Sequence, residues 1–272
     1  MRAGNTGNNH VLILVALAGA VLVTFAISAG RRMPSESEFV KMRQEMVRTQ
    51  IKARGVKDER ILDAMRKVER HKLVPEDVGP SAYEDHPLPI GYGQTISQPY
   101  IVAYMTEQLA LTPTDRVLEI GTGTGYQTAV LAQLCKHVYS IERISELHSS
   151  ATDRLTALNL MNVSLSVGDG SVGLAKEAPY NAILVTAGAP KTPSSLVAQL
   201  ADGGRLVAPV GGASEQTIVR VTRRGARTTE TPMLACRFVK LVGREGWDTS
   251  RPELTNEVDG VRVPRRSTLE EP

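Results

Sequence analysis

The stretch Val117-Leu118-Glu119-Ile120-Gly121-Thr122-Gly123-Thr124-Gly125-Tyr126 sets an apolar run, an acid and three alternating glycines directly before a helical pattern. A strand that turns sharply into a helix needs residues without Cβ, both to adopt unusual dihedrals and to let a ligand approach the backbone. The spacing separates two chemistries. A dinucleotide-binding turn places its last glycine where this chain has Tyr126, and here the third glycine comes one step early, at Gly125. A phosphate-binding loop would continue into Lys-Ser or Lys-Thr, which this one does not. Glu119, just before the turn, would repel a pyrophosphate and suits a ligand that carries positive charge.

Further along, Val138-Tyr139-Ser140-Ile141-Glu142 ends a second strand pattern in an acid, at the distance where ribose hydroxyls are usually accepted. Acid, glycine turn and second acid together point to S-adenosylmethionine, whose sulfonium and amino groups are cationic. The cofactor-binding residues expected on this reading are Glu119, Gly121, Thr122, Gly123, Thr124, Gly125, Tyr126, Glu142 and Arg143. Asp169, in Gly168-Asp169-Gly170, is placed to meet the adenine amino group together with Gly170, or else to hold its own turn as aspartates do.

Outward from this block the chain alternates. Helical patterns at Tyr100–Leu109, Tyr126–Leu134, Ser145–Leu158 and Ser194–Ala201 interleave with strand patterns at 116–120, 137–141, 163–167, 181–185 and 205–210. Such alternation predicts an α/β fold with a mostly parallel, doubly wound sheet. Strands at 216–222 and 233–241 around Arg223-Arg224-Gly225 predict a C-terminal antiparallel hairpin on that sheet. Upstream, residues 35–72 read as two helices broken at Gly55. The Pro-, Gly- and Tyr-rich stretch 75–99 reads as an ordered functional loop without an element of its own.

A chain of 272 residues with a net charge of +3 accommodates one sizeable domain and gives no electrostatic case for nucleic acid. Cys135 and Cys236 match no metal spacing and read as small buried hydrophobes; no metal site is expected. Residues 11–30 carry no charge and are long enough to cross a bilayer, so residues 1–32 are expected to be a membrane anchor or a cleaved signal, or to precede a later start at Met33 or Met42. Residues 33–247 form the expected catalytic domain, and the polar residues 248–272 a disordered tail.

The chain resembles a known family, the protein-L-isoaspartate O-methyltransferases. The resemblance rests on Leu88-Pro89-Ile90-Gly91-Tyr92-Gly93-Gln94-Thr95-Ile96-Ser97-Gln98-Pro99, on 117–127, on 138–143, on Gly168-Asp169-Gly170 and on Leu206-Val207-Ala208-Pro209-Val210-Gly211, and covers about residues 40–245. The Gly-Gln-Thr-Ile-Ser-Gln-Pro block is specific to that family, whereas the glycine turn is shared by many methyltransferases. One departure is Val68-Glu69-Arg70, where the family usually has Val-Pro-Arg. The resemblance implies a Rossmann-like methyltransferase fold, S-adenosylmethionine as cofactor, and isoaspartyl-containing proteins and peptides as partners. It makes Ser97 the catalytic residue, with an orienting role, because a carboxylate acceptor is already ionised at neutral pH. Thr95 and Ile96 beside it, and Val185-Thr186-Ala187 after a strand, are the expected substrate contacts. A monomer is expected, with its catalytic domain in the cytoplasm where the cofactor is supplied, or in the periplasm if the first segment is a cleaved signal.

Three rivals are weighed against this. A methyltransferase acting on RNA or a small molecule would not require the Ser97 block. A tethered binding module with a decayed site is disfavoured by the intact acids and glycines. A nicotinamide dehydrogenase is disfavoured by Tyr126. Helix N-capping by Ser97, with Pro99 at the first helical position, is an equally good use of that serine from spacing alone. His86 is the one histidine within the loop, and reads as a surface residue.

Overall fold

A computed structural model describes residues 32–248, so the expectations for residues 1–31 and 249–272 lie outside the described residues. Ser35 opens helix α1 (Glu36–Glu45) with a reciprocal cap, its hydroxyl accepting the Glu38 N–H while the Glu38 carboxylate accepts the Ser35 N–H at 2.7 Å. The chain continues through a wide turn, Met46–Ile51, and a tight one, Lys52–Arg54, and stops at Gly55. Helix α2 (Glu59–Lys67) follows, capped by Asp58, and buries Ile61, Leu62, Ala64 and Met65 along one face.

The stretch 75–99 does contain elements. Strands β1 (Leu88–Gly91) and β2 (Gln94–Ile96) pair antiparallel around a tip at Tyr92-Gly93. They escape a periodicity reading because each is very short: in β1 Pro89 and Gly91 take the exposed positions and Leu88 and Ile90 the buried ones, and β2 adds a single buried residue, Ile96. Helix α3 (Pro99–Leu109) then starts with proline in its first turn.

From there the sequence alternation is realised: β3 (Arg116–Ile120), α4 (Tyr126–Ala132), β4 (His137–Glu142), α5 (Ser145–Ala157), β5 (Val163–Val167), β6 (Tyr180–Val185), α6 (Ser194–Ala198), β7 (Leu200–Gly211), β8 (Gln216–Arg224) and β9 (Arg227–Cys236). Two boundaries differ from the sequence pattern. Strand β7 begins at Leu200 rather than after Gly203-Gly204, its pairing with β6 shifting register between Tyr180 and Ala182 to absorb the extra residues. Strand β9 begins at Arg227, paired with Arg224 straight across the turn, and ends at Cys236. Its first residues are polar and exposed on the sheet edge, so no apolar signal marks them.

The seven strands lie in the order β5-β4-β3-β6-β7-β8-β9. All pairs from β5 to β7 are parallel, and β8 and β9 extend the sheet antiparallel. Alternate residues feed opposite faces. Val117, Val138, Ala182 and Val207 join one core with α3 and α4, while Leu118, Ile141, Ile183 and Leu206 join the other with Leu196 of α6. Burial on both faces is why these strands read as continuous apolar runs. Strand order reverses between β3 and β6, which places the ligand crevice beyond their carboxyl ends.

Candidate active site

The glycine turn lies where that crevice opens. Gly121 has φ 96°, and a Cβ there would run into Thr186 Oγ1, so only glycine lets the chain leave β3 past the end of β6. Gly125 caps α4 at φ 87°, with Leu155 packed 3.0 Å from where its Cβ would be. Thr186 ties the turn down, its hydroxyl bonding to the Ile120 and Gly121 carbonyls at 2.9 and 2.8 Å.

Two acids support this turn in different ways. Glu142 is buried at the cleft wall: one oxygen accepts the Gly123 N–H at 2.9 Å, the other accepts Arg143 N–H at 2.8 Å and Ile144 N–H at 3.0 Å. A carboxylate has about four lone-pair sites, so capacity remains for a ribose hydroxyl. Glu119 is wholly buried and stands outside the cleft lining, beneath the turn. Thr128 and Ser140 donate to its Oε2 at 2.5 and 2.6 Å, and Ser140 is joined to Thr122 at 2.7 Å. Its Oε1 has no hydrogen-bond partner among the described residues. Burial pushes the Glu119 carboxyl up to about 8, against the two hydroxyl donors that pull it down.

The cleft encloses about 940 Å³, solvent at its mouth included, within the range of small-ligand sites. Of the residues expected from sequence, Thr95, Ile96, Ser97, Gly121, Thr122, Gly123, Thr124, Tyr126, Glu142, Arg143, Gly170, Thr186 and Ala187 line it. Glu119, Gly125, Asp169 and Val185 do not. Val185 is core, fully buried at the end of β6. Asp169 holds its own turn, accepting the Ser171 N–H at 2.9 Å and hydroxyl at 2.6 Å, and also takes the Arg244 N–H at 2.8 Å. Desolvation raises its pKa, and these bonds, the Arg244 N–H foremost, more than offset it and hold the carboxyl below the usual carboxylate range.

Ser97 is not a helix cap. The cap residue of α3 is Gln98, with no side-chain cap bond, and the Ser97 hydroxyl has no hydrogen-bond partner among the described residues. His86 is exposed and bonded to Glu84 at 2.8 Å, away from the cleft lining. Cys135 and Cys236 are unpaired, and burial pushes both thiols up, to about 12 and about 11. Glu36, Glu69 and His71 come within 4.8 Å of one another, but Lys72 at 2.9 Å and Arg43 at 3.7 Å already hold Glu69.

The wall that the sequence does not announce is Phe238 to Val242. Beyond β9 the chain crosses the sheet and bridges to Gly188, whose N–H donates to the Val239 carbonyl at 2.7 Å while its carbonyl accepts the Leu241 N–H at 2.8 Å and the Trp247 indole N–H at 2.9 Å. Its apolar pairs Phe238-Val239 and Leu241-Val242 read as a continuation of the strand expected at 233–241, whereas strand β9 ends at Cys236.

A doubly wound sheet with a glycine turn after its first parallel strand and an acid closing the next defines the S-adenosylmethionine-dependent methyltransferase fold. The residues present fit that cofactor: a backbone cradle at Gly121 that a Cβ would fill, and a cleft carboxylate, Glu142, with acceptor capacity to spare. Within this class the chain belongs to the protein-L-isoaspartate(D-aspartate) O-methyltransferase family, whose model matches residues 41–246. It is 55% identical over 207 residues to a protein-L-isoaspartate O-methyltransferase 2 of Geotalea uraniireducens, covering 75% of this chain and 95% of that one. A protein-L-isoaspartate O-methyltransferase of Methanoculleus marisnigri is 52% identical over 205 residues, covering 75% and 93%. A solved protein-L-isoaspartate O-methyltransferase superposes with a TM-score of 0.67 at 29% identity, over 75% of this chain and 67% of that one. A Plasmodium falciparum structure of that description, in complex with S-adenosyl-L-homocysteine, shows the same fold with a TM-score of 0.65 at 24% identity, over 74% and 98%.

Proposed function

We propose that this chain transfers a methyl group from S-adenosylmethionine to the α-carboxylate of L-isoaspartyl residues in damaged proteins and peptides. The observation that carries the reading is a single cleft that joins the Ser97 hydroxyl, unpartnered among the described residues, to the glycine turn and Glu142. Gly121 to Tyr126, Glu142, Arg143 and Gly170 would hold the cofactor, which supplies the methyl group. Glu119 would act from below, through the hydroxyls of Ser140 and Thr128 that fix β4 and α4 against the turn.

On the acceptor side no proton has to be removed, because an α-carboxylate is ionised at neutral pH. Among the described residues the cleft lining contains no histidine and a single carboxylate, Glu142, which backbone donors engage. Ser97 orients the acceptor by donating a hydrogen bond to one carboxylate oxygen. Thr95, Ile96, Thr186 and Ala187 would border the peptide. Ile90, Ile101, Met105 and Phe238 give the cleft an apolar wall that thins the acceptor's hydration. Alignment of carboxylate and methyl carbon can supply several kcal/mol of the barrier reduction. The ester formed closes to a succinimide with loss of methanol, without the protein's help, and water opens the ring in part to normal aspartate, which makes the reaction a repair.

The cofactor requirement supports a cytoplasmic setting, and the apolar run at 11–30 supports contact with a membrane surface. Among the described residues no helix is long and apolar enough to cross a membrane. The domain is read as acting as a monomer. The test gives labelled S-adenosylmethionine and a matched pair of peptides, isoaspartate or aspartate at one position, to the purified protein. Base-labile label in the isoaspartyl peptide alone is expected. Label in neither, with cofactor bound, would overturn the acceptor.

A further inference from the structure

Arg70 is a fully buried guanidinium set behind the acceptor side of the cleft. Its Nε donates to the Ala82 carbonyl at 2.6 Å, and Nη2 donates to the carbonyl of Ser97 at 2.8 Å. The guanidinium carbon lies 4.7 Å from the centroid of the Tyr126 ring, and Nη1 is buried with no hydrogen-bond partner among the described residues. Ser97 and Tyr126 both line the cleft, so the cation sits one wall thickness from it. Among the described residues no carboxylate forms a salt bridge with Arg70.

A buried cation without a counter-ion is costly, and holding two carbonyls does not require a charge. A neutral donor would do that with less desolvation. Burial does lower the Arg70 pKa, to about 10, but leaves the group protonated at neutral pH. Its field is poorly screened, because low-dielectric protein rather than solvent surrounds it. The cleft is the place where a negative charge can approach without being built into the chain.

We infer that Arg70 is a positioning and specificity residue, which fixes Ser97 through its carbonyl and whose unpaired charge makes the cleft select an anionic acceptor over a neutral isostere. This rests on the acceptor being an isoaspartyl carboxylate. The charge favours the carboxylate over the carboxamide of the same shape, independently of any hydrogen bond that Ser97 makes.

The experiment uses the full chain and two peptides, one with isoaspartate and one with isoasparagine as competitive inhibitor, on wild type, Arg70→Met and Arg70→Lys. Arg70→Met should raise KM for the isoaspartyl peptide about tenfold or more, with inhibition by the carboxamide changed less than about twofold, the scale of a unit charge acting through protein at an effective dielectric of about 20. Cofactor affinity by calorimetry should be unchanged, and Arg70→Lys should restore most of the discrimination. Equal weakening of both peptides, or unchanged discrimination, would reduce Arg70 to a structural role. If Arg70→Met does not fold, Arg70→Gln, which can still donate to the Ser97 carbonyl, carries the same two outcomes. A wild-type protein that binds cofactor but fails to methylate the isoaspartyl peptide would remove the acceptor reading, and this inference with it.

Discussion

On the glycine-turn side of the cleft, Glu142 accepts three backbone N–H groups and Thr186 clamps the turn, whereas across it the Ser97 hydroxyl has no partner among the described residues and Thr95 is exposed. The β1–β2 tip even presents Tyr92 to solvent, 59% exposed at φ 54°. One side is braced by its own backbone and side-chain hydrogen bonds before any ligand arrives, and the other leaves a cleft hydroxyl unheld. A cofactor of fixed shape rewards a rigid cradle, because nothing has to be ordered on binding. An acceptor that occurs in many sequence contexts rewards an open edge that reads a carboxylate and little else.

The largest effect should come from breaking the rigid side. Gly121→Ala puts a methyl group into Thr186 Oγ1 at a backbone angle that side chains rarely adopt. We expect cofactor affinity to fall about 100-fold or more, from strain at the turn and loss of the Thr186 bonds. Calorimetric titration with S-adenosylhomocysteine reads this directly. Binding close to that of the wild type would mean that the turn is softer than its hydrogen bonds imply.

Beneath the same turn Glu119 is an internal strain that the cofactor-free protein carries. Its folded-state pKa, about 8, lies above the ordinary value of about 4.3, so folding takes up a proton between those limits. Stability is therefore greatest below the ordinary value and falls as pH rises toward 8. Glu119→Gln keeps an acceptor for Ser140 and Thr128 and cannot ionise. Urea unfolding should show the variant gaining on the wild type, by the order of a few kcal/mol, from pH 5 to pH 8. A difference between the two proteins that does not vary with pH would mean that Glu119 is ionised throughout.

The contrast between the two sides also explains what the sequence made legible. The turn is encoded locally, since strand, acid and glycines are contiguous from Val117 to Gly125, and Glu142 follows at a spacing set by one helix and one strand. The parallel core is encoded equally well, because burial on both faces leaves unbroken apolar runs. The acceptor side is assembled from distant pieces. The β1–β2 hairpin and Phe238 to Val242 reach the cleft, and Arg70 comes to lie behind it, only through tertiary contacts such as the bridge from Gly188 to Lys240. The role proposed for Ser97 comes from resemblance and not from pattern, since spacing alone suits a helix cap equally well. Asp169 shows the converse, a residue whose position after a strand suggested the ligand while its carboxylate serves its own turn and Arg244.

Ser97→Ala probes the open side with the least disturbance. Because the hydroxyl has no partner among the described residues, its removal leaves no buried group unsatisfied, and the carbonyl that receives the Arg70 bond is retained. Stability and cofactor affinity should stay within error of wild type. Methyl transfer should fall about tenfold or more, the scale of one hydrogen bond to a charged group, and the loss should appear in kcat/KM for the isoaspartyl peptide. Full activity would remove Ser97 from the reaction and leave the acceptor to be oriented by backbone and by the field of Arg70. A parallel loss of cofactor affinity would break the contrast itself, since the two sides of the cleft would then be one coupled unit.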